Sequence, residues 1–177
     1  MKNSKKMLVI DILVFAVLLF LDQYTKHIIR IKLEVHSYFN VIDKVLQIYH
    51  YENSGAVWGI LKGQRILFIT LAVVVMCAIL YFLAKLPPEK KYIRMNIVLS
   101  MIAAGAIGNT IDRIMNGKVT DFIYVVLINF PIFNVADMYI VIATFWLVLM
   151  ILFIYKDEDL EIFAFRKKAE SDNAEES

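Results

Sequence analysis

The stretch from Val119 to Asp137, VTDFIYVVLINFPIFNVAD, holds two aspartates, sixteen residues apart, in an otherwise almost wholly apolar run. A carboxylate in such surroundings destabilises the chain unless something partners it. Asp137 has a purely structural explanation: Asn134, three residues earlier, can cap a helix whose positive end favours an acid. Asp121 has none, and its one nearby cation in sequence is Lys118. If the chain folds back between the two, their carboxyl groups can meet. Two acids in hydrogen-bonding reach cannot both ionise easily, so they share a proton. One then serves as base toward a water attacking a carbonyl. The other, as acid, supports the carbonyl oxygen, and a proton later passes to the leaving amine. Such a pair hydrolyses an amide with neither a metal nor a covalent intermediate.

Other polar residues stand where they could serve the pair, each with a plainer reading beside it. Asp22 and Lys26, at i, i+4, could be a surface helix pair with the lysine snorkelling to an interface. Asn53, before Ser54 and Gly55, could simply make a turn. Asn109 and Arg113 share a helix face that could bind a carboxylate or end a span, and Asp112 with Arg113 could be an interfacial ion pair.

The elements that must position these residues follow from composition. Sixty per cent of the 177 residues are hydrophobic and the mean hydropathy is +0.64, which suits lipid rather than water as the solvent. The net charge of +2 is spread in short clusters, not in the basic stripe a nucleic-acid binder needs. The single cysteine, Cys77, excludes an intrachain disulfide and reads as a small buried apolar residue. Four segments approach the roughly 20 apolar residues that cross a bilayer. They are Met7 to about Tyr24, interrupted by Asp11 and Asp22; Ile66 to Leu86; about Met95 to Ile111, the least apolar, with Asn96, Ser100 and Asn109; and Val135 to Tyr155. The N-terminal lysines imitate a secretory signal, but LDQYTKHIIR follows in place of a small-residue cleavage site, so the first span should stay attached. The reading is an all-α membrane protein: one four-helix domain over 1–160, with a small extracytoplasmic segment over about 28–65, and a polar tail over 161–177 expected to be disordered. Within that segment VLQIYHYEN suits a short strand or hairpin at the membrane surface.

The loop KLPPEKKYIR, with four basic residues in ten positions between spans two and three, should be cytoplasmic. Four spans put both termini on its side, which then holds eleven of the nineteen basic residues. Asp22, Lys26, Asn53, Asn109, Asp112, Arg113, Asp121, Asn134 and Asp137 all arrive at the opposite, outer face. Polar and charged residues in or beside spans are expensive, so their convergence suggests a site.

Five blocks carry a resemblance: DQYTK at 22–26, NSGAVWG at 53–59, GAIGNTIDR at 105–113, GKVTDF at 117–122 and FNVAD at 133–137. In this order, and at these depths of a four-span chain, they resemble the lipoprotein signal peptidases, the signal peptidase II family of membrane aspartic proteases. The resemblance implies that Asp121 and Asp137 are the catalytic pair. It implies that Asn53, Gly55, Asn109, Arg113 and Asn134 hold the substrate backbone and order the pair, with Asp22, Lys26 and Asp112 in support. It also implies a bacterial cytoplasmic-membrane enzyme, with no metal or other cofactor, cutting diacylglyceryl-modified prolipoproteins just before the lipidated cysteine at the outer face. The chain departs from the family's usual pattern at Ala56, Val57 and Trp58, where two alanines and a phenylalanine are common, and at Ala104, where a glycine is.

Two other functions fit parts of the sequence. A metal-dependent phospholipid enzyme could use Asp112, Asp121 and Asp137, although no histidine accompanies them and no outer carboxylates stand at i, i+3 or i+4. A nonenzymatic ion- or proton-coupled transporter would need polar residues through the bilayer depth, and spans two and four have few.

Overall fold

The computed structural model describes residues 2–55 and 63–163. Its long helices are α1 (Lys2–Lys32), α2 (Arg65–Lys85), α3 (Ile93–Asn116) and α4 (Val135–Phe153), each long and apolar enough to cross a membrane. A short α5 (Asp157–Leu160) follows. Half of the most apolar window of α3 is buried, against 6% for α2, because α1, α2 and α4 all pack along α3. This central place explains why the least apolar span carries Asn96, Ser100 and Asp112, all buried, and Asn109, which bonds Lys26 and Asp137. Leu13, Phe20, Val74, Phe145 and Trp146 lie exposed on α1, α2 and α4, a surface that a bilayer covers at no hydrophobic cost.

The first span is longer than its hydropathy suggests. The α1 helix continues past Tyr24 to Lys32, 31 residues in all, or about 46 Å at 1.5 Å per residue, against a hydrocarbon core about 30 Å thick. It therefore projects beyond the core at one end. Asp22, Lys26 and Arg30 fall on one face there, and charges that would end a lipid-facing helix continue this one because α3 supplies their partners. The connection expected from Ile28 thus begins as helix.

Strands β1 (Tyr38–Ile42) and β2 (Leu46–Asn53) form a hairpin in the first connection, in agreement with the strand read in VLQIYHYEN. A third strand, β3 (Val119–Val125), comes from the connection between α3 and α4 and pairs antiparallel with β2. Sequence patterning did not reveal β3, since a continuous apolar run carries no alternation to distinguish it. The turn from α3 into β3 is made by Gly117, whose φ of 77° is left-handed and whose N–H closes on the Arg113 carbonyl at 3.1 Å, a helix C-cap that favours glycine.

Cys77 is exposed on α2, not buried, since most of that helix faces outward. Beyond α5, Glu161–Phe163 forms a 3-10 turn with Phe163 edge-on to Phe82 of α2. The rest of the tail, and the departures at Ala56, Val57 and Trp58, lie outside the described residues. Ala104 is fully buried.

Candidate active site

The site lies at the end of the bundle where α1 and α3 finish and α2 and α4 begin. From β3, Asp121 enters it. In the β2–β3 ladder Asn53 stands opposite Val119, so the two-residue period of strands puts Asn53 and Asp121 on one face, diagonal neighbours. After β3 the chain turns back through a 3-10 segment, Val126–Ile128, and Asn129 in the left-handed region. Phe122 and Ile123 then donate to the Phe133 carbonyl at 2.9 and 2.8 Å. This return brings Asn134, and through it Asp137, to Asp121.

Asn134 joins the two acids. Its Nδ2 donates to Asp121 Oδ1 at 2.6 Å, and its backbone N–H donates to Asp137 Oδ2 at 3.0 Å. The Asp137 N–H returns a bond to Asn134 Oδ1 at 3.0 Å. The helix-cap reading is therefore correct as local structure: a reciprocal capping box starts α4. It does not exhaust Asp137, whose other oxygen, Oδ1, accepts from Asn109 Nδ2 at 2.8 Å. Asp121 Oδ2 likewise accepts from Asn53 Nδ2 at 2.9 Å.

Three asparagines thus aim NH2 groups at the acids, and each orientation is fixed from behind. The oxygen of Asn53 accepts from Gly55 N–H at 2.9 Å, that of Asn134 from Asp137 N–H, and that of Asn109 from the Lys26 ammonium at 2.8 Å. These three groups can only donate, so the amide oxygen must face them and the NH2 must face a carboxylate. Gly55 makes these contacts through its backbone, which also offers its carbonyl to Arg113 Nη2 at 3.4 Å.

Behind this layer is a buried ion cluster. Lys26, wholly inaccessible, meets Asp22 Oδ2 at 2.9 Å, Asp112 Oδ2 at 3.1 Å and Asn109 Oδ1 at 2.8 Å, one acceptor for each N–H. Neither the surface-pair reading of Asp22 and Lys26 nor snorkelling survives this geometry, because α3 covers both side chains. Asp22 Oδ1 accepts from Ala136 N–H at 3.1 Å, holding the first turn of α4. Gly108 lets α1 approach, since a Cβ there would fall 2.3 Å from Asp22 Oδ2.

Asp112 does not pair with Arg113. It meets Arg30 at 3.1 Å and accepts from Thr120 N–H at 3.2 Å, whereas Arg113 stacks over Phe68 at 4.5 Å. Lys118 serves Glu52 at 2.6 Å instead of Asp121. Arg30, Thr120 and Gln23, which bonds both Asp22 and the Gly108 carbonyl, escaped the sequence reading. Arg30 left a signal as the next i, i+4 step after Lys26, and Gln23 and Thr120 stand inside the blocks DQYTK and GKVTDF.

Asp121 is 2% exposed and Asp137 is half-buried. Burial, reinforced by the charge of Asp137 and opposed by the Asn53 and Asn134 hydrogen bonds, pushes the Asp121 carboxyl up to about 7. It can therefore hold or release a proton near neutrality, as one member of an acid–base pair must. Among the described residues no three His, Cys, Asp or Glu side chains converge as metal ligands.

The chain matches the family model described as "Signal peptidase (SPase) II" over residues 14–153. It is 43% identical to the lipoprotein signal peptidase of Brevibacillus brevis, covering 74% of this chain and 87% of that protein. With its counterpart from Staphylococcus haemolyticus it shares 36% identity over 85% and 95% of the two chains. Two solved structures, each described as a bacterial membrane enzyme determined by the in meso method, superpose with TM-scores of 0.71. They are 32% and 33% identical, and the superpositions cover 90% and 82% of this chain and 93% and 94% of theirs. Four bilayer-length helices, a three-stranded sheet at one end and a match across nearly the whole bundle lead to one assignment: the chain belongs to the signal peptidase II family.

Proposed function

We propose that the chain is an aspartic endopeptidase that removes the signal peptide from diacylglyceryl-modified prolipoproteins, cutting just before the lipidated cysteine. The observation that carries this reading is the pair Asp121 and Asp137, tied together through Asn134, one deeply buried and poised near neutrality, the other half-buried. In the proposed reaction Asp137, as the base, takes a proton from a water whose oxygen attacks the scissile carbonyl carbon. Protonated Asp121 gives its proton to the carbonyl oxygen. The tetrahedral intermediate collapses as Asp137 passes its proton to the amide nitrogen and Asp121 takes one back from a hydroxyl of the intermediate; the C–N bond breaks, the acid and the new amine separate, and both carboxyl groups are restored.

Asn53, Asn109 and Asn134 orient the two carboxyl groups. Arg113 is assigned to the substrate backbone, and its position beside Gly55 and Phe68 supports that reading. A lipidated cysteine keeps its acyl chains in the bilayer, so its peptide bond must be met at the membrane surface, and an interfacial sheet beside the pair suits that need. The lysine and arginine distribution supports a placement with this end outside and both termini in the cytoplasm. A periplasm-active reporter fused after Tyr155 should then be silent and one near Gly117 active, and the reverse pattern would overturn the orientation.

The test of the chemistry is a gel-shift assay of a lipidated precursor with purified full-length protein. Asp121→Asn and Asp137→Asn should each nearly abolish cleavage in protein that still inserts, and the double variant should be scarcely worse than either, because residues acting as one unit are not additive. Cleavage should survive EDTA. Near-normal turnover by Asp137→Asn would reduce Asp137 to a helix cap, and activity lost on chelation and restored by a divalent ion would favour the metal-dependent reading.

A further inference from the structure

At the opposite end of the bundle, α1 and α2 each pack along α3 but scarcely touch one another. Between them lies a cavity of about 620 Å³, lined by Met7, Phe15, Met76, Leu83 and Ala103 among other apolar residues, within the size range of small-molecule sites. Three polar side chains line it: Asp11, Asn96 and Ser100. Asn96 is 2% exposed, and its Nδ2 is buried without a hydrogen-bond partner, as is Asp11 Oδ1. A buried donor left unpaired costs free energy, so this position calls for a polar group from outside the chain. An alkyl chain alone supplies neither partner; a glycerol ester supplies the acceptor for Asn96 Nδ2, and a lipid hydroxyl the donor for Asp11 Oδ1.

Basic residues flank the lining in sequence, and one carboxylate, Asp11, is part of the lining itself. Lys5 and Lys6 directly precede the lining residues Met7 and Leu8, Lys85 stands between Ala84 and Leu86, Lys90 follows Pro88 by two positions, and Arg94 precedes Asn96 by two. All five are exposed; among the described residues the exposed acids at this end are Glu89, next to Pro88, and Asp157, Glu158 and Glu161 of the segment whose Phe163 packs on Phe82. The lining runs from Leu86 and Ala84 down to Met76, on the order of 12 to 15 Å at the helical rise, a depth suited to an acyl chain entering beneath a charged head group.

We propose that this groove binds one anionic phospholipid from the surrounding bilayer, with its acyl chain along Met76, Leu83 and Phe15, an ester carbonyl accepting from Asn96 Nδ2, and its phosphate among Lys5, Lys6 and Lys85. A signal-peptide segment is the weaker fit, since its basic N-terminal end would meet the like charge of Lys5, Lys6 and Lys85. The inference rests on none of the residues assigned to peptide cleavage.

The test uses full-length protein in phosphatidylcholine nanodiscs doped with phosphatidylglycerol that carries a diazirine in its acyl chain. After irradiation, adducts should concentrate on the groove-lining parts of α1 and α2, and unlabelled phosphatidylglycerol should displace them at least tenfold more effectively than phosphatidylcholine. Replacing Lys5, Lys6 and Lys85 with Gln should erode that preference, by about fivefold for each lysine. Asn96→Leu should weaken labelling, and Leu80→Phe, at an exposed lining position, should block it, while precursor cleavage in both variants reports an intact fold. Adducts spread evenly over the lipid-facing surfaces of α2 and α4, equal displacement by the two lipids, or a preference untouched by the lysine changes would overturn the proposal. So would capture of the groove by a photoreactive signal-peptide core in place of the lipid.

Discussion

Asp121→Asn should make the protein more stable at alkaline pH and less stable in acid, while removing its activity. In the native protein the carboxyl rises from an ordinary 3.8 to about 7 because burial and Asp137 oppose its charge. The native state therefore binds more protons than the unfolded chain between those values, and stability falls as pH rises through that window. At about 1.4 kcal/mol per pH unit the full penalty is about 4 kcal/mol above pH 7, and almost none remains near pH 4. Asparagine carries no charge and escapes it. It has a single oxygen, however, where Asp121 offers two to Asn53 Nδ2 and Asn134 Nδ2. Neither neighbour can flip without abandoning the Gly55 or Asp137 N–H, so one NH2 is left facing another, at a cost of about 1 to 3 kcal/mol. The difference leaves the variant about 1 to 3 kcal/mol more stable near pH 8.5 and destabilised by a similar amount near pH 4, or a few degrees in Tm in each direction. Thermal unfolding of detergent-solubilised wild type and variant across this range measures it. A stability difference that does not change with pH would refute the reasoning, because it would mean that Asp121 bears no such electrostatic burden.

The same carboxyl must be protonated to act as the acid, so kcat/KM for a lipidated precursor should fall as pH rises through about 7; a profile flat from 6 to 9 would remove Asp121 from that role. Gly108→Ala would drive a Cβ to 2.3 Å from Asp22 Oδ2, on a carboxylate held by Lys26, Gln23 and Ala136 N–H, and should cost about 3 to 5 kcal/mol by breaking a buried pair. An unchanged Tm for that variant would contradict the packing. Lys26→Met should be about as damaging, since it leaves Asp22 and Asp112 buried together. Arg30→Gln, whose side chain is 29% exposed, should cost about 1 kcal/mol or less, and the opposite order in denaturation would show that the cluster is organised differently.

The sequence alone determined the solvent, the four spans, the hairpin in the first connection and the residue types that gather at one end, because runs of apolar residues and the cost of charge in lipid are local properties. Five short blocks also sufficed to mark the family. What partners what was decided by tertiary structure. That Asp112 would meet Lys26 and Arg30 in preference to its neighbour Arg113 depends on α1 lying against α3, and that contact depends on Gly108 having no side chain. That Asp121 would sit on a strand beside Asn53 depends on β2 and β3, from separate connections, finding one register, which an unbroken apolar run cannot announce. The orientation of three asparagines was equally out of reach, since an amide looks the same in sequence whichever way it points. Only the placement of an obligate donor behind each one, Gly55 N–H, Asp137 N–H and the Lys26 ammonium, turns its NH2 toward a carboxylate.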